Sequence, residues 1–143
     1  MNNLKKILIN VNTIAIVGAS SNPEKDSFKV MKFLIDYGYE IFPVNPNEIN
    51  ILGRKCYSSL KIIEEKIDMV DVFRAKDFVL DIAKETIKIN ADILWLQEGI
   101  VDEESYELAN NAGLKVVMDK CPKKILEKEI ENALREEFDD LKD

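Results

Sequence analysis

Five short stretches carry side chains richer than a plain turn needs: GASSNPEKDS (18–27), PVNP (43–46), FRAKD (73–77), QEGI (97–100) and DKCP (119–122). In the first, Gly18 permits a positive φ and close backbone approach. Ser20, Ser21 and Ser27 add hydroxyls beside the N–H groups of a helix that follows. That combination suits phosphate, because a helix N-terminus carries unpaired donors and partial positive charge. Lys25 and Lys29 would add full charges. Serine, asparagine and proline also make an ordinary turn, with Ser27 as its N-cap, so this segment alone does not decide.

The remaining stretches narrow the chemistry. A dinucleotide fingerprint asks for three glycines and for an acid at the end of the second strand, where the ribose hydroxyls are held. Here Gly18 stands alone and the second position reads Pro43, Val44, Asn45, Pro46. Both departures count against NAD. Only three arginines stand among 20 basic residues, and two of them, Arg54 and Arg74, fall near the same predicted edge. Their planar fork suits phosphate, although a surface ion pair would use them as well. Gln97, Glu98 and Gly99 bring an amide, a carboxylate and a close-approach backbone position, whereas Trp95 reads as core. A single acid without a matched partner does not make a general base.

Composition removes several classes of function. The chain has no histidine, which excludes a Ser-His-Asp triad, phosphohistidine and most zinc sites. No catalytic constellation and no metal site is expected. A net charge of −7 argues against nucleic-acid binding, while leaving room for a small polyanion in a locally basic cleft. No apolar run approaches the ~20 residues of a membrane span, and MNNLKKILIN lacks the features of a signal peptide. Cys56 and Cys121 are too few for a disulfide framework, so a reduced cytoplasm is the expected location.

The elements that must position these stretches alternate in type. Strands are expected at Ile14–Val17, Glu40–Val44, Met69–Phe73, Ile93–Leu96 and Lys115–Met118, with a weaker one at Arg54–Tyr57. Helices are expected at Leu4–Val11, Phe28–Tyr37, Asp77–Ile89 and Asp102–Ala112, the last opened by a capping aspartate and closed by Gly113. Repeated βα units with nearly continuous apolar strands give an α/β fold, a doubly wound parallel sheet of Rossmann-like type. One domain over 1–143 is expected, with a core at 13–122, a helical N-terminal extension and a C-terminal helical extension at 123–143. In that extension Leu126, Ile130, Leu134 and Phe138 recur every four residues. The plain reading packs this stripe on the same domain; the sharper one gives it to a homodimer or a partner protein. In such sheets ligands bind outside the carboxyl ends of the strands, where all five stretches converge.

Taken together, GASSNPEKDSFKV, GYEIFPVNP, LGRKCYSSL, VDVFRAKD, ILWLQEGI and VVMDKCP resemble the small single-domain CoA-binding proteins. These are similar to the CoA-binding domain of the succinyl-CoA synthetase α subunit standing alone. The resemblance spans Thr13 to Pro122. It implies coenzyme A as cofactor, with Gly18, Ala19, Ser20, Ser21, Lys25 and Ser27 around the pyrophosphate. It further implies Pro43, Asn45 and Pro46 at the adenosine end, and Val72, Phe73 and Arg74 along the ligand's path. Gln97 and Gly99 would lie toward the pantetheine arm, and the 3′-phosphate is open among Lys25, Arg54 and Arg74. The synthetase activity does not follow, since those enzymes use a phosphohistidine in a second domain and this chain has no histidine.

The expected function is therefore a binding or regulatory module for CoA or an acyl-CoA. The alternatives are a small acyl-CoA-handling enzyme using Glu98 or Cys121, and an NAD-binding redox-sensing domain. Lys120 beside Cys121 would favour a thiolate, from which a mixed disulfide with CoA could form, although a small buried hydrophobe is the plainer role.

Overall fold

A computed structural model describes residues 3–142. The chain divides into two compact units, one running from Val11 to Lys120 and the other made from the chain's two ends.

The larger unit holds a five-stranded parallel sheet. Its strands are β1 (Thr13–Val17), β2 (Glu40–Val44), β5 (Met69–Val72), β6 (Ile93–Leu96) and β7 (Lys115–Val117), in the order β2-β1-β5-β6-β7. Two short strands, β3 (Asn50–Ile51) and β4 (Arg54–Lys55), form a separate antiparallel hairpin. The helices are α2 (Asp26–Tyr37), α3 (Lys76–Lys88) and α4 (Glu103–Asn111). From β1 the chain winds one way through α2 to β2. From β5 it winds the other way through α3 and α4. With right-handed crossovers, α2 falls on one face of the sheet and α3 and α4 on the other.

The α3/α4 face is the main apolar core. Ala15, Val17, Val44, Val70, Val72, Leu94 and Leu96 meet Val79, Ile82 and Ala83 of α3 and Ala109 of α4. Strands this apolar, buried on both sides, are what a covered parallel sheet requires. The opposite face carries Ile14, Ile16, Met69 and Trp95, all 0% exposed, and α2 contributes Val30, Met31 and Leu34 to the buried set. The sheet is anchored at its amino edge by Asp68. Its carboxylate accepts the N–H groups of Asn12 and Thr13 at 2.8 and 3.1 Å. Burial raises the pKa of Asp68, but those hydrogen bonds, the Thr13 hydroxyl and nearby Lys66 outweigh it and hold it below the usual carboxylate value.

Several boundaries differ from the sequence reading for local reasons. Helix α2 opens at Asp26 rather than Phe28, because a turn closes ahead of it: Lys25 N–H donates to the Asn22 carbonyl, and Glu24 N–H to Asn22 Oδ1. Lys25 is the N-cap, and Ser27 lies inside the helix, buried. The expected strand at Arg54–Tyr57 shrinks to two residues, since Leu52 and Gly53 take positive φ values of 50° and 77° and turn the chain into a hairpin. Tyr57 instead bridges to Val44.

The smaller unit pairs α1 (Asn3–Ile9) with α5 (Pro122–Leu141), joined by an ion pair between Lys5 and Glu129 at 2.8 Å. Val11 lies beyond α1 rather than on its face. Pro122 opens α5 at its first turn, where a missing N–H costs nothing. Leu126 is buried, whereas Ile130, Leu134 and Phe138 are exposed, so the stripe is covered only at its start. Among the described residues no helix is long and apolar enough to cross a membrane.

Candidate functional site

Strand β1 has β2 on one side and β5 on the other, so the order of the sheet reverses there and leaves a crevice at the carboxyl edge. A cleft of about 470 Å³ opens at this point. Gly18, Asn45, Pro46, Phe73 and Arg74, all singled out from the sequence, line it.

Gly18 is fixed by geometry. Its φ is +88°, and a Cβ there would stand 2.5 Å from the Phe73 carbonyl oxygen and 3.2 Å from Arg74 Cδ. The first turn therefore lies directly against the chain leaving β5, and only glycine allows that approach. Its backbone donors are used differently from the sequence expectation. Gly18 and Ala19 N–H both turn back to the Val44 carbonyl, at 3.0 and 3.3 Å. Ser21 N–H is taken by a Glu48 carboxylate oxygen at 2.6 Å. The N–H groups of Ser20, Asp26 and Ser27 have no acceptor among the described residues. These three are the donors that the turn and the first positions of α2 hold open.

Asn45 ties the cleft together. Its Nδ2 donates to the Ala19 carbonyl at 2.7 Å, its Oδ1 accepts from Asn47 N–H at 2.8 Å, and its own N–H donates to the Tyr57 carbonyl. The side-chain amide is committed to joining the first turn to the PVNP loop, with the flanking prolines stiffening it. Cys56 packs behind, its thiol 3.5 Å from the Asn45 carbonyl, and burial pushes its pKa up.

Arg74 follows β5 and lies over the Phe78 ring, with its guanidinium carbon 4.0 Å from the centroid. Phe78 is 48% exposed, so one planar stack of cation and aromatic faces the cleft. Sequence reasoning passed over Phe78, together with Asp81 and Glu85 further along α3 and Ser58 and Ser59 opposite. The only trace of Phe78 was its i+4 spacing from Arg74, which becomes meaningful once α3 is known to start at the cleft. Glu85 is paired with Lys61 at 3.7 Å. Of the candidate cations, Arg74 alone lines the cleft; Arg54 donates to the Leu52 carbonyl in the small hairpin, and Lys25 caps α2.

The other sequence-derived positions lie outside the cleft lining. Ala19 and Val72 are fully buried, Pro43 is a buried residue of β2, and Ser20 and Ser21 sit in the first turn beside the open donors. Gln97 and Gly99 follow β6 on the same edge; Gly99 has a φ of +85°, and its N–H donates to Asp119 at 2.7 Å. Cys121 is buried at the start of α5, so its thiol is not presented to solvent. No group of side chains able to hold a metal occurs among the described residues.

A family model described as a CoA binding domain matches residues 12–127. The chain is 42% identical over 120 residues to the uncharacterized protein YneT of Bacillus subtilis (strain 168), covering 84% of this chain and 89% of that one. It is 40% identical over 84 residues to acetate–CoA ligase (ADP-forming) I subunit alpha of Pyrococcus furiosus, covering 54% of this chain but 18% of the subunit. A solved structure of a hypothetical protein from Pyrococcus horikoshii OT3 superposes with a TM-score of 0.86 at 37% identity, over 88% of this chain and 89% of that one.

Proposed function

The chain belongs to the family of CoA binding domains, and from that premise we propose that it binds coenzyme A or an acyl-CoA at the carboxyl edge of β1, β2 and β5. It does so as a binding or regulatory module with no catalysis of its own. The observation that carries the reading is the contact of Gly18 with Phe73, which leaves no room for a side chain and sets the first turn beside Arg74.

The residues fit a phosphate-bearing ligand. The open N–H groups of Ser20, Asp26 and Ser27, with the serine hydroxyls and Lys25, are the donors for a pyrophosphate. Asn45 and Pro46 line the adenosine end, and the Arg74–Phe78 stack offers a cation for the 3′-phosphate. Pro43 and Val72 support the floor from within the sheet, while Gln97 and Gly99 lie on the edge that the pantetheine arm would follow. Two free, buried cysteines suit a reducing cytoplasm. Ligation is no part of the proposal, because the chain spans only 18% of the ligase subunit it matches.

Calorimetric titration with CoA, acetyl-CoA, 3′-dephospho-CoA and NAD at two salt concentrations tests this. Saturable CoA binding is expected, weakened by salt and by loss of the 3′-phosphate. Binding of NAD more tightly than CoA would overturn it.

A further inference from the structure

Three side-chain oxygens buried in the sheet, on two residues, lack a partner. Asp71, in the middle of β5, is 0% exposed, and neither of its carboxyl oxygens meets a donor. Gln97, just past β6, is 6% exposed, and its Oε1 is also without a donor. The same sheet relates them. Asp71 lies opposite Trp95 in the parallel register, and Gln97 N–H continues the ladder to the Val72 carbonyl at 3.2 Å. Alternation along the strands puts Asp71, Trp95 and Gln97 on one face, away from Val70, Val72, Leu94 and Leu96 in the α3/α4 core.

Diagonal neighbours on adjacent strands lie about 7–8 Å apart, with their Cβ atoms somewhat closer, a gap that an aspartate and a glutamine together can close. The one nearby indole donor is already used: Trp95 Nε1 donates to the Lys120 carbonyl at 2.9 Å. An ionised carboxylate and an amide oxygen are both acceptors, so neither can satisfy the other. A proton on the carboxyl makes it a donor.

We propose that Asp71 is held as the neutral acid and donates its hydrogen bond to Gln97 Oε1, which fixes the Gln97 amide with its NH2 group toward the carboxyl edge of the sheet. Leaving buried acceptors unpaired would cost on the order of 1–3 kcal/mol each, and one shared proton pairs one Asp71 oxygen with Gln97 Oε1, so that of the three only the Asp71 carbonyl oxygen stays without a donor. Burial pushes the pKa of Asp71 well above the ordinary carboxylate value. Asp71 is then a positioning residue, acting on a ligand only through Gln97. The ligand half of the proposal rests on the CoA reading, and the hydrogen-bonded pair does not.

Infrared spectroscopy of the full chain, with carboxyl-labelled aspartate, tests the pair directly. At neutral pH a protonated-carboxyl band is expected, absent from Asp71→Asn and shifted in Gln97→Leu. No such band, or one that Gln97→Leu leaves in place, overturns the proposal; an amide turned to donate to an ionised Asp71 would give the first of these results. Calorimetry then tests the positioning role. Asp71→Asn keeps a donor for Oε1 and should hold CoA affinity within about twofold, whereas Asp71→Leu, shown folded by circular dichroism, should lose roughly tenfold. Equal affinity in both variants overturns the positioning role. Absence of CoA binding in the unmodified chain would instead overturn the CoA reading, and the infrared result would still decide the pair.

Discussion

The N–H of Ser21 donates to the Glu48 carboxylate at 2.6 Å, so the turn after β1 already holds an anion supplied by the chain itself. An incoming phosphate must compete with that carboxylate for a donor and against its charge. Glu48→Gln keeps the side chain's shape and removes the charge. It should raise CoA affinity by about threefold to tenfold, the scale of one ordinary net hydrogen bond. Calorimetry at low salt measures this, and unchanged or weaker binding would contradict it.

Gly18 and Gly99 both have positive φ, but only Gly18 is crowded. Gly18→Ala should cost about 2–5 kcal/mol, combining left-handed strain with displacement of the Phe73 carbonyl. Gly99→Ala, with nothing within 4 Å of the new methyl, should cost about 1–2 kcal/mol. Urea midpoints rank the two, and an equal loss would mean that the close approach is not a constraint.

Asp71 sets a pH dependence of known sign. Its pKa in the folded chain stands well above the reference value of 3.8, so the folded state keeps a proton that the unfolded state has released. The associated stability is fully present below the unfolded pKa and is lost as pH rises toward the folded one, by up to ~1.4 kcal/mol per pH unit. Asp68 acts in the opposite sense, losing its contribution as pH falls, and remains in both proteins compared. Asp71→Asn should therefore flatten the decline from mildly acidic to alkaline pH. Parallel slopes in urea denaturation would refute the assignment.

Arg74 is the cation of the cleft. Arg74→Ala should weaken CoA by roughly tenfold while changing 3′-dephospho-CoA little, as the proposed contact to the 3′-phosphate requires. Arg54→Ala, whose guanidinium is tied to the Leu52 carbonyl, serves as the control and should change neither. Equal losses for both ligands in Arg74→Ala would move the 3′-phosphate elsewhere.

Where local chemistry determines local structure, the sequence was a good guide. Asp102 caps α4 by accepting from Ser105 N–H at 3.3 Å, as an aspartate before an acidic first turn suggests. Gly38 and Gly113 end their helices with positive φ, and all five apolar runs became strands within one residue of their expected limits. The uses of donors were not legible. That Gly18 and Ala19 would spend their N–H groups on Val44 depends on how β2 leaves the sheet, a tertiary fact. Ser27 looked like a cap, but the Asn22 turn starts the helix earlier and buries it. Phe78 and Asp81 read as ordinary positions of an amphipathic helix, and only the end of the sheet at which that helix begins makes them part of the cleft.

The sheet order has a kinetic consequence. Thr13 and Asp68, which join the amino ends of β1 and β5, are 55 residues apart in the chain, and the two walls of the cleft, Gly18 and Phe73, meet only once that long loop has closed. Such distant pairing forms slowly. A ligand held between those walls recognises nothing in the chain before closure, so it leaves the speed of folding almost untouched. It acts on the reverse step, slowing unfolding in proportion to its occupancy, and so lengthens the life of the native protein.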